Sequence, residues 1–185
     1  MSCFDIRCAS RWLVASAIVV MSCLTVAGGA RAEQLVNTTA DGVAMDGYDT
    51  VNYFTDQKAA KGSPDFRAEW NGATYWFVSA DHRDAFAADP TKYAPQYNGW
   101  CAFAVSEGSA AEVDVINGWL IHDGKLYVNW NKEVRDSLKA ELDSRIAMGK
   151  QNWPTIEAGL KGGSIEVARH ANYPNDNPDK IAHPQ

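Results

Sequence analysis

The chain contains few cysteines, 4 among its 185 residues, and three of these (Cys3, Cys8 and Cys23) lie within the first 32 residues. If that segment is removed, Cys101 is the single thiol left. A domain with one cysteine cannot form an internal disulfide, so packing must hold it together. Long apolar runs are also missing. The stretch from Trp12 to Ala27 is interrupted by polar residues and is shorter than the ~20 residues that a membrane-spanning helix needs.

Residues 1–32 have the pattern of a cleavable export signal. Arg7 and Arg11 precede the apolar stretch, and Ala30-Arg31-Ala32 matches a small-x-small cleavage site. We therefore predict cleavage after Ala32, a periplasmic or secreted location, and no stable membrane insertion of the mature chain. A membrane anchor and lipid attachment at Cys23 are the alternatives.

Clusters of positive charge are absent. The chain has 17 Lys and Arg against 23 Asp and Glu, and removal of residues 1–32 leaves 14 and 22, a net charge of −8 with histidines neutral. Nothing in this composition could neutralise a phosphate backbone, so nucleic acid is excluded as a partner. The sequence also lacks a Gly-rich phosphate loop, a serine nucleophile elbow and a zinc-protease helix signature. We therefore expect a protein that is not an enzyme.

What the sequence does contain predicts one α+β domain. Apolar residues alternate on both sides of Asn71-Gly72, which indicates a hairpin with its tip at these two residues. Ser79 is positioned to cap a helix over residues 79–88, and Asn131 to cap a long C-terminal helix over residues 131–148. We expect a twisted antiparallel sheet packed against these helices.

Weaker signals predict the remaining segments. Asn117-Gly118 and Asp123-Gly124 indicate two further turns in the sheet region, and Trp153-Pro154 the start of a last short segment. The apolar run at residues 100–105 favours a short buried helix, with a strand as the alternative because such a run sets no period. Residues 162–185 are rich in Asn, Asp, Pro and Gly, which predicts a flexible tail. The domain itself would span residues 33–161.

Seven ordered pieces of the chain resemble the YHS domain family, specifically its exported single-domain branch. They are GYDTVNYF at 47–54, GSP at 62–64, NGATYWFVS at 71–79, FAADPTKYAPQY at 86–97, GWCAFAV at 99–105, DGKLYVN at 123–129 and NWP at 152–154. The resemblance covers about residues 41–154 and implies a YHS-like core. Intracellular members resemble small metal-binding modules, with one cysteine before the serine and another a few residues into the following helix. Those positions are Val78 and His82 here, which leaves His82 as the residual ligand.

The candidate metal ligands are His82 and Cys101, and imidazole plus sulfur would favour copper or zinc. Further candidates are His122 and the oxygen donors Asp46, Asp49, Asp81 and Asp123. For each of the two main residues a structural role is the alternative. His82 would be a boundary histidine packed beside Phe86, and Cys101 a buried cysteine acting as a small hydrophobe. We expect His170 and His183, which lie in the predicted tail, to carry no function.

These observations lead to three functional hypotheses. The first is a non-catalytic exported YHS-like binding or accessory domain, with transition-metal handling as its specific form. The second is a structural or protein-interaction module without a metal, whose partner the sequence does not identify. The third is an enzyme that uses Cys101 as a nucleophile, which would need His82 or His122 beside the thiol. Five aromatic residues could also line a ligand pocket, with packing in the core as the alternative: Tyr48, Tyr53, Trp76, Tyr97 and Trp100.

Overall fold

The computed structural model describes residues 35–170, so the predicted export signal and residues 171–185 lie outside the described part. Within it the helices are α1 Asn52–Thr55, α2 Ala80–Ala88, α3 Pro90–Tyr93, α4 Ala102–Ser106, α5 Lys132–Ala140 and α6 Leu142–Lys161. The strands are β1 Ser63–Trp70, β2 Ala73–Phe77, β3 Ala110–Ala111, β4 Leu120–His122, β5 Lys125–Tyr127 and β6 Val167–Ala168. No helix between residues 35 and 170 combines the length and apolar character that crossing a membrane requires.

The described chain is α+β, as expected, but its strands form three two-stranded sheets instead of one twisted sheet. β1 pairs antiparallel with β2, and β4 pairs antiparallel with β5. β3 and β6 pair in parallel. Apart from β1 and β2, the described strands are two or three residues long. Apolar segments such as the one around Val113 and Val115 therefore contribute buried side chains to the core without extending a sheet.

The predicted hairpin at Asn71-Gly72 is confirmed. Both residues have positive φ angles, 51° and 79°, which is the pattern of a type I′ turn. Trp70 pairs with Ala73 directly across this turn. The hairpin packs against α2 and the segment before α1. Val51, Tyr75, Phe77 and Phe86 belong to the buried cluster that they form.

Replacing Gly72 with valine should destabilise the protein moderately. No heavy atom lies within 4 Å of the position a Cβ would take, so the cost arises from the backbone conformation alone. A β-branched residue at positive φ should lower the free energy of unfolding by about 1–2 kcal/mol. Gly72→Asn, which tolerates positive φ, is the matched control. Thermal unfolding of both variants tests the turn, and an unchanged midpoint for Gly72→Val would contradict it.

The two other predicted turns have different outcomes. Asp123 and Gly124 have φ angles of 48° and 67° and join β4 to β5, so this hairpin is confirmed. At Asn117-Gly118 the predicted turn is present, with the Gly118 N–H donating to the carbonyl of Asp114 at 2.9 Å, but the strands on either side of it do not pair with each other. The Asp114 carboxylate also accepts the N–H groups of Ile116 and Asn117, at 2.8 and 3.0 Å. A side chain therefore takes the backbone donors that a strand ladder would have used.

The C-terminal helix begins at the predicted residue, but it extends further than predicted and is divided into two helices. Asn131 caps α5, with its Oδ1 accepting the Val134 N–H at 2.8 Å. The helical backbone then breaks at Glu141, whose φ and ψ are −129° and 34°. α6 continues through Gly149 and Pro154 to Lys161. Packing explains why these breakers are tolerated, because Ile146, Ile156 and Leu160 are buried along α6.

Part of the segment 162–170, which the composition assigns to a flexible tail, contacts the rest of the domain through residues 165–170. Val167 and Ala168 pair with β3, and Ile165 and Val167 pack against the buried cluster around Trp100. His170 is 6% exposed, and its ring lies 3.6 Å from that of Trp130, measured between centroids. The polar composition of this segment does not indicate these contacts, which involve only a few side chains.

Burial of His170 should make the protein less stable in mild acid. Loss of solvation lowers the pKa of His170 to about 4 from 6.5, although Glu112 and Asp114 oppose this shift. In the unfolded chain the imidazole binds a proton near pH 6.5, but in the folded protein it does so only near pH 4. Protonation therefore favours the unfolded state between these two pH values. The folded protein has its full stability above about pH 6.5 and loses stability as the pH falls towards 4. The expected loss between pH 7 and pH 5 is about 2 kcal/mol.

Urea unfolding of wild type and His170→Phe at pH 7 and pH 5 measures this contribution. The variant should lose less stability on acidification than wild type, because phenylalanine can occupy a similar position beside Trp130 without titrating. Equal losses in both proteins would contradict the assignment to His170.

Candidate functional site

A buried carboxylate and an imidazole from distant parts of the chain meet at the start of α2. His82 Nδ1 lies 2.7 Å from Asp49 Oδ2. The Asp49 side chain is fully buried, whereas that of His82 is 21% exposed. A carboxylate only accepts hydrogen bonds here, so Nδ1 carries the ring proton and donates it. The sequence pattern had identified His82 and, among several oxygen donors, Asp49, but not their pairing.

Asp49 also accepts three backbone N–H groups. Its Oδ1 accepts from Val51 and Asn52 at 2.8 and 3.2 Å, at the start of α1. Its Oδ2 accepts from Val78 at 2.9 Å, directly after β2. A buried charge is costly unless it is hydrogen-bonded, and here each carboxylate oxygen has two donors. One side chain therefore connects α1, the end of β2 and the first turn of α2.

The helix cap gives His82 its position. Ser79 Oγ accepts the His82 N–H at 3.2 Å, which confirms Ser79 as the cap of α2. The Ser79 cap fixes where α2 begins, and the hydrogen bond to Asp49 fixes the orientation of the imidazole ring. With Nδ1 bonded to Asp49, Nε2 is the ring nitrogen available to an external group. This arrangement is also typical of histidines that bind a metal through one nitrogen and a carboxylate through the other.

The two positions at which the YHS resemblance implies cysteines both bind Asp49 in this chain. The Val78 N–H and the His82 ring donate to the same oxygen, Oδ2. The side chain of Val78 offers no metal donor. Between residues 35 and 170, no group of three or more His, Cys, Asp and Glu side chains could hold a metal ion. Around His82 the structure places one imidazole and one buried carboxylate, and a site made of His82 and Cys101 stays a prediction.

Cys101 lies in an apolar environment. It is 1% exposed and belongs to a buried cluster with Met45, Tyr53, Leu126 and Val128. Its Sγ accepts the Trp130 N–H at 3.3 Å. Burial raises the pKa of the Cys101 thiol, and nearby backbone N–H groups, those of Ala104, Trp130 and Phe103, offset this only in part. The thiol is therefore stabilised in its protonated form, in which it is a poor nucleophile and a poor metal ligand.

Cys101 should accordingly react slowly with a thiol reagent in the folded protein. Labelling requires local opening of the surrounding core, so we expect a rate more than about 100-fold below that of the urea-unfolded chain. Mass spectrometry of the Cys101 peptide after timed exposure to a maleimide measures the rate. Labelling of native and unfolded protein at similar rates would contradict the burial of this residue.

The remaining candidate residues are dispersed. His122 Nε2 lies 3.4 Å from Asp123 and 3.5 Å from Asp143, whose carboxylates are largely exposed. In the described part of the chain neither His82 nor His122 hydrogen-bonds to Cys101, so the arrangement for an activated thiol is not formed. Of the five aromatic candidates, Tyr53 lines a groove between α1, β4 and α5. Trp100 is buried in the core.

Comparison with known proteins gives no relative from which a function could be transferred. No family model matches the chain, and no curated protein or solved structure is similar to it.

Proposed function

We propose that this chain is a non-catalytic, exported binding or accessory domain of the YHS type that acts without a resident metal ion. The observation that carries the proposal is the Asp49 carboxylate, which accepts hydrogen bonds from both positions at which the resemblance implies thiol ligands. In this view a buried Asp–His pair takes the structural place of a metal site. The domain would then act by contacting a partner and not by chemistry of its own.

The same carboxylate also supports the YHS-like architecture. Two of the pieces that carry the resemblance, residues 47–54 and 71–79, are separated in sequence and are held together by Asp49. The environment of Cys101 argues against the thiol-enzyme hypothesis, because burial raises its pKa.

Transition-metal handling is the second candidate, and the orientation of His82 favours it. Nδ1 is bonded to a buried carboxylate and the side chain remains partly exposed, as in many metal-binding histidines. A copper or zinc ion at Nε2 would need its other ligands from a partner protein or solvent. Such a domain would contact an ion that another protein holds.

Titration calorimetry of untagged protein with zinc and with copper separates the two candidates. Wild type, His82→Ala and Cys101→Ser are compared. The first proposal expects no stoichiometric binding by wild type and no difference among the three proteins. Binding of one ion per chain that is lost in His82→Ala would overturn it in favour of metal handling.

Export is a separate part of the proposal and has its own test. Expression of the full chain in a bacterial host should yield protein that begins at Glu33. The intact mass decides this, and a mass that retains residues 1–32 or carries lipid on Cys23 would contradict it.

A further inference from the structure

A groove with a volume of about 590 Å³ lies between α1, β4 and the region where α5 meets α6. Pockets that bind small molecules commonly have volumes of ~300–1,000 Å³. α1 contributes Tyr53 and Phe54 to the lining, and the segment at β4 contributes Trp119 and Ile121. Neither Asp49 nor His82 lines this groove, so it is independent of the function proposed above.

The accessible floor of the groove is apolar, because Phe54, Trp119 and Ile121 are half-buried there. The Tyr53 ring, which contacts Trp119, is fully buried and supports this floor. The Tyr53 hydroxyl donates to the Val115 carbonyl at 2.6 Å, and the Trp119 indole N–H donates to the Ile116 carbonyl at 3.1 Å. The two rings contact each other with centroids 5.0 Å apart. Because their polar atoms are already bonded within the protein, a ligand on this floor would gain mainly from burying an apolar body.

Two cations, Arg135 and Lys139, border the groove one helical turn apart on α5. Arg135 donates to the Asn117 carbonyl at 2.8 Å and to the Asp136 carboxylate, which neutralises part of its charge. Lys139 is exposed and has no ion-pair partner within residues 35–170. An exposed ammonium without a carboxylate partner can pair with a negative group on a ligand. It favours a ligand with one negative group.

We propose that this groove binds a small amphipathic carboxylate. The apolar part of the ligand, an aromatic or branched aliphatic group, packs against the half-buried side chains of Phe54, Trp119 and Ile121. The carboxylate pairs with the Lys139 ammonium, and the partly neutralised Arg135 guanidinium lies one turn away on the same rim. A charge-assisted hydrogen bond of this kind gives selectivity for the acid over a neutral molecule of the same shape.

The test uses two probes of the same size, indole-3-acetate and its neutral amide, indole-3-acetamide. Both are titrated into ¹⁵N-labelled mature protein and followed by two-dimensional NMR. We expect shifts in α1, β4 and α5, and about tenfold tighter binding of the acid than of the amide. Lys139→Gln should remove this preference. Lys150→Gln is the matched control, because Lys150 is also exposed and lines a different pocket, near His122.

Each result decides the proposal. A tenfold preference for the acid that is lost in Lys139→Gln and retained in Lys150→Gln supports it. Equal binding of acid and amide, shifts confined to another surface, or the same loss in Lys150→Gln would overturn it. A concentration-dependent dimer that covers the groove and blocks both probes would also overturn it, since a second copy would then be the occupant.

Discussion

Replacing Asp49 with alanine should cause a large loss of stability, about 3–5 kcal/mol, or prevent folding. The change leaves the N–H groups of Val51, Asn52 and Val78 and the ring of His82 without their acceptor. Because Asp49 is fully buried, water cannot replace the carboxylate without opening the structure. Three segments would lose their common contact at once.

Conservative variants keep this prediction testable if Asp49→Ala does not fold. Asp49→Asn retains the shape but presents an amide N–H₂ to groups that donate, so it should cost less than Asp49→Ala and still more than His82→Ala. Asp84→Ala, an exposed carboxylate on α2, is the matched control and should behave like wild type. Urea unfolding followed by circular dichroism ranks the four variants. Asp49→Ala with wild-type stability would contradict the central role of this residue.

Replacing Gly118 with alanine should also destabilise the protein strongly, by about 3 kcal/mol or more. An added Cβ would lie 2.2 Å from the Asn129 carbonyl oxygen and 2.7 Å from that of Asp114. Both atoms belong to the backbone, and Asn129 Nδ2 donates to the Gly118 carbonyl at 3.0 Å. The two chain segments therefore cannot separate without losing further hydrogen bonds.

Gly108→Ala is the control for this prediction. Gly108 has a φ of 83° but open space around its Cβ position, so alanine there should cost only about 1–2 kcal/mol for the backbone strain. Thermal unfolding of both variants compares steric overlap with strain. A smaller loss for Gly118→Ala than for Gly108→Ala would contradict the close backbone approach at Gly118.

Local signals in the sequence were sufficient for several elements of the fold. Asn71-Gly72 and Asp123-Gly124 favour positive φ by themselves, so their hairpins follow from the residues. Ser79 and Asn131 cap helices with their own side chains and were also identified correctly. In each case the residue that carries the signal also makes the contact, and no distant part of the chain is needed.

The other elements depend on contacts that the sequence does not display. Asn117-Gly118 has the same composition as the true hairpin tip, but its turn does not join paired strands. Gly118 is required there by the close approach of the Asn129 backbone. The continuation of α6 through Pro154 depends on side chains buried further along the helix. In both cases tertiary packing overrides a local preference.

The candidate site was predictable only in part for the same reason. His82 is recognisable from its place on a capped helix. Its partner is 33 residues away, and any of several aspartates could have met it. Arg135 and Lys139 lie one turn apart on α5, but the apolar floor beside them comes from α1 and the segment at β4. Only the fold brings these residues together.

The most direct test of the account is ¹⁵N NMR of the His82 ring before and after addition of one equivalent of zinc to untagged protein. If Asp49 holds the imidazole as a structural partner and no ion is resident, Nδ1 will carry a proton bonded to the carboxylate. The Nε2 resonance will then remain unchanged when zinc is added. An Nε2 signal that shifts and saturates at one zinc per chain, or an unprotonated Nδ1, would contradict it.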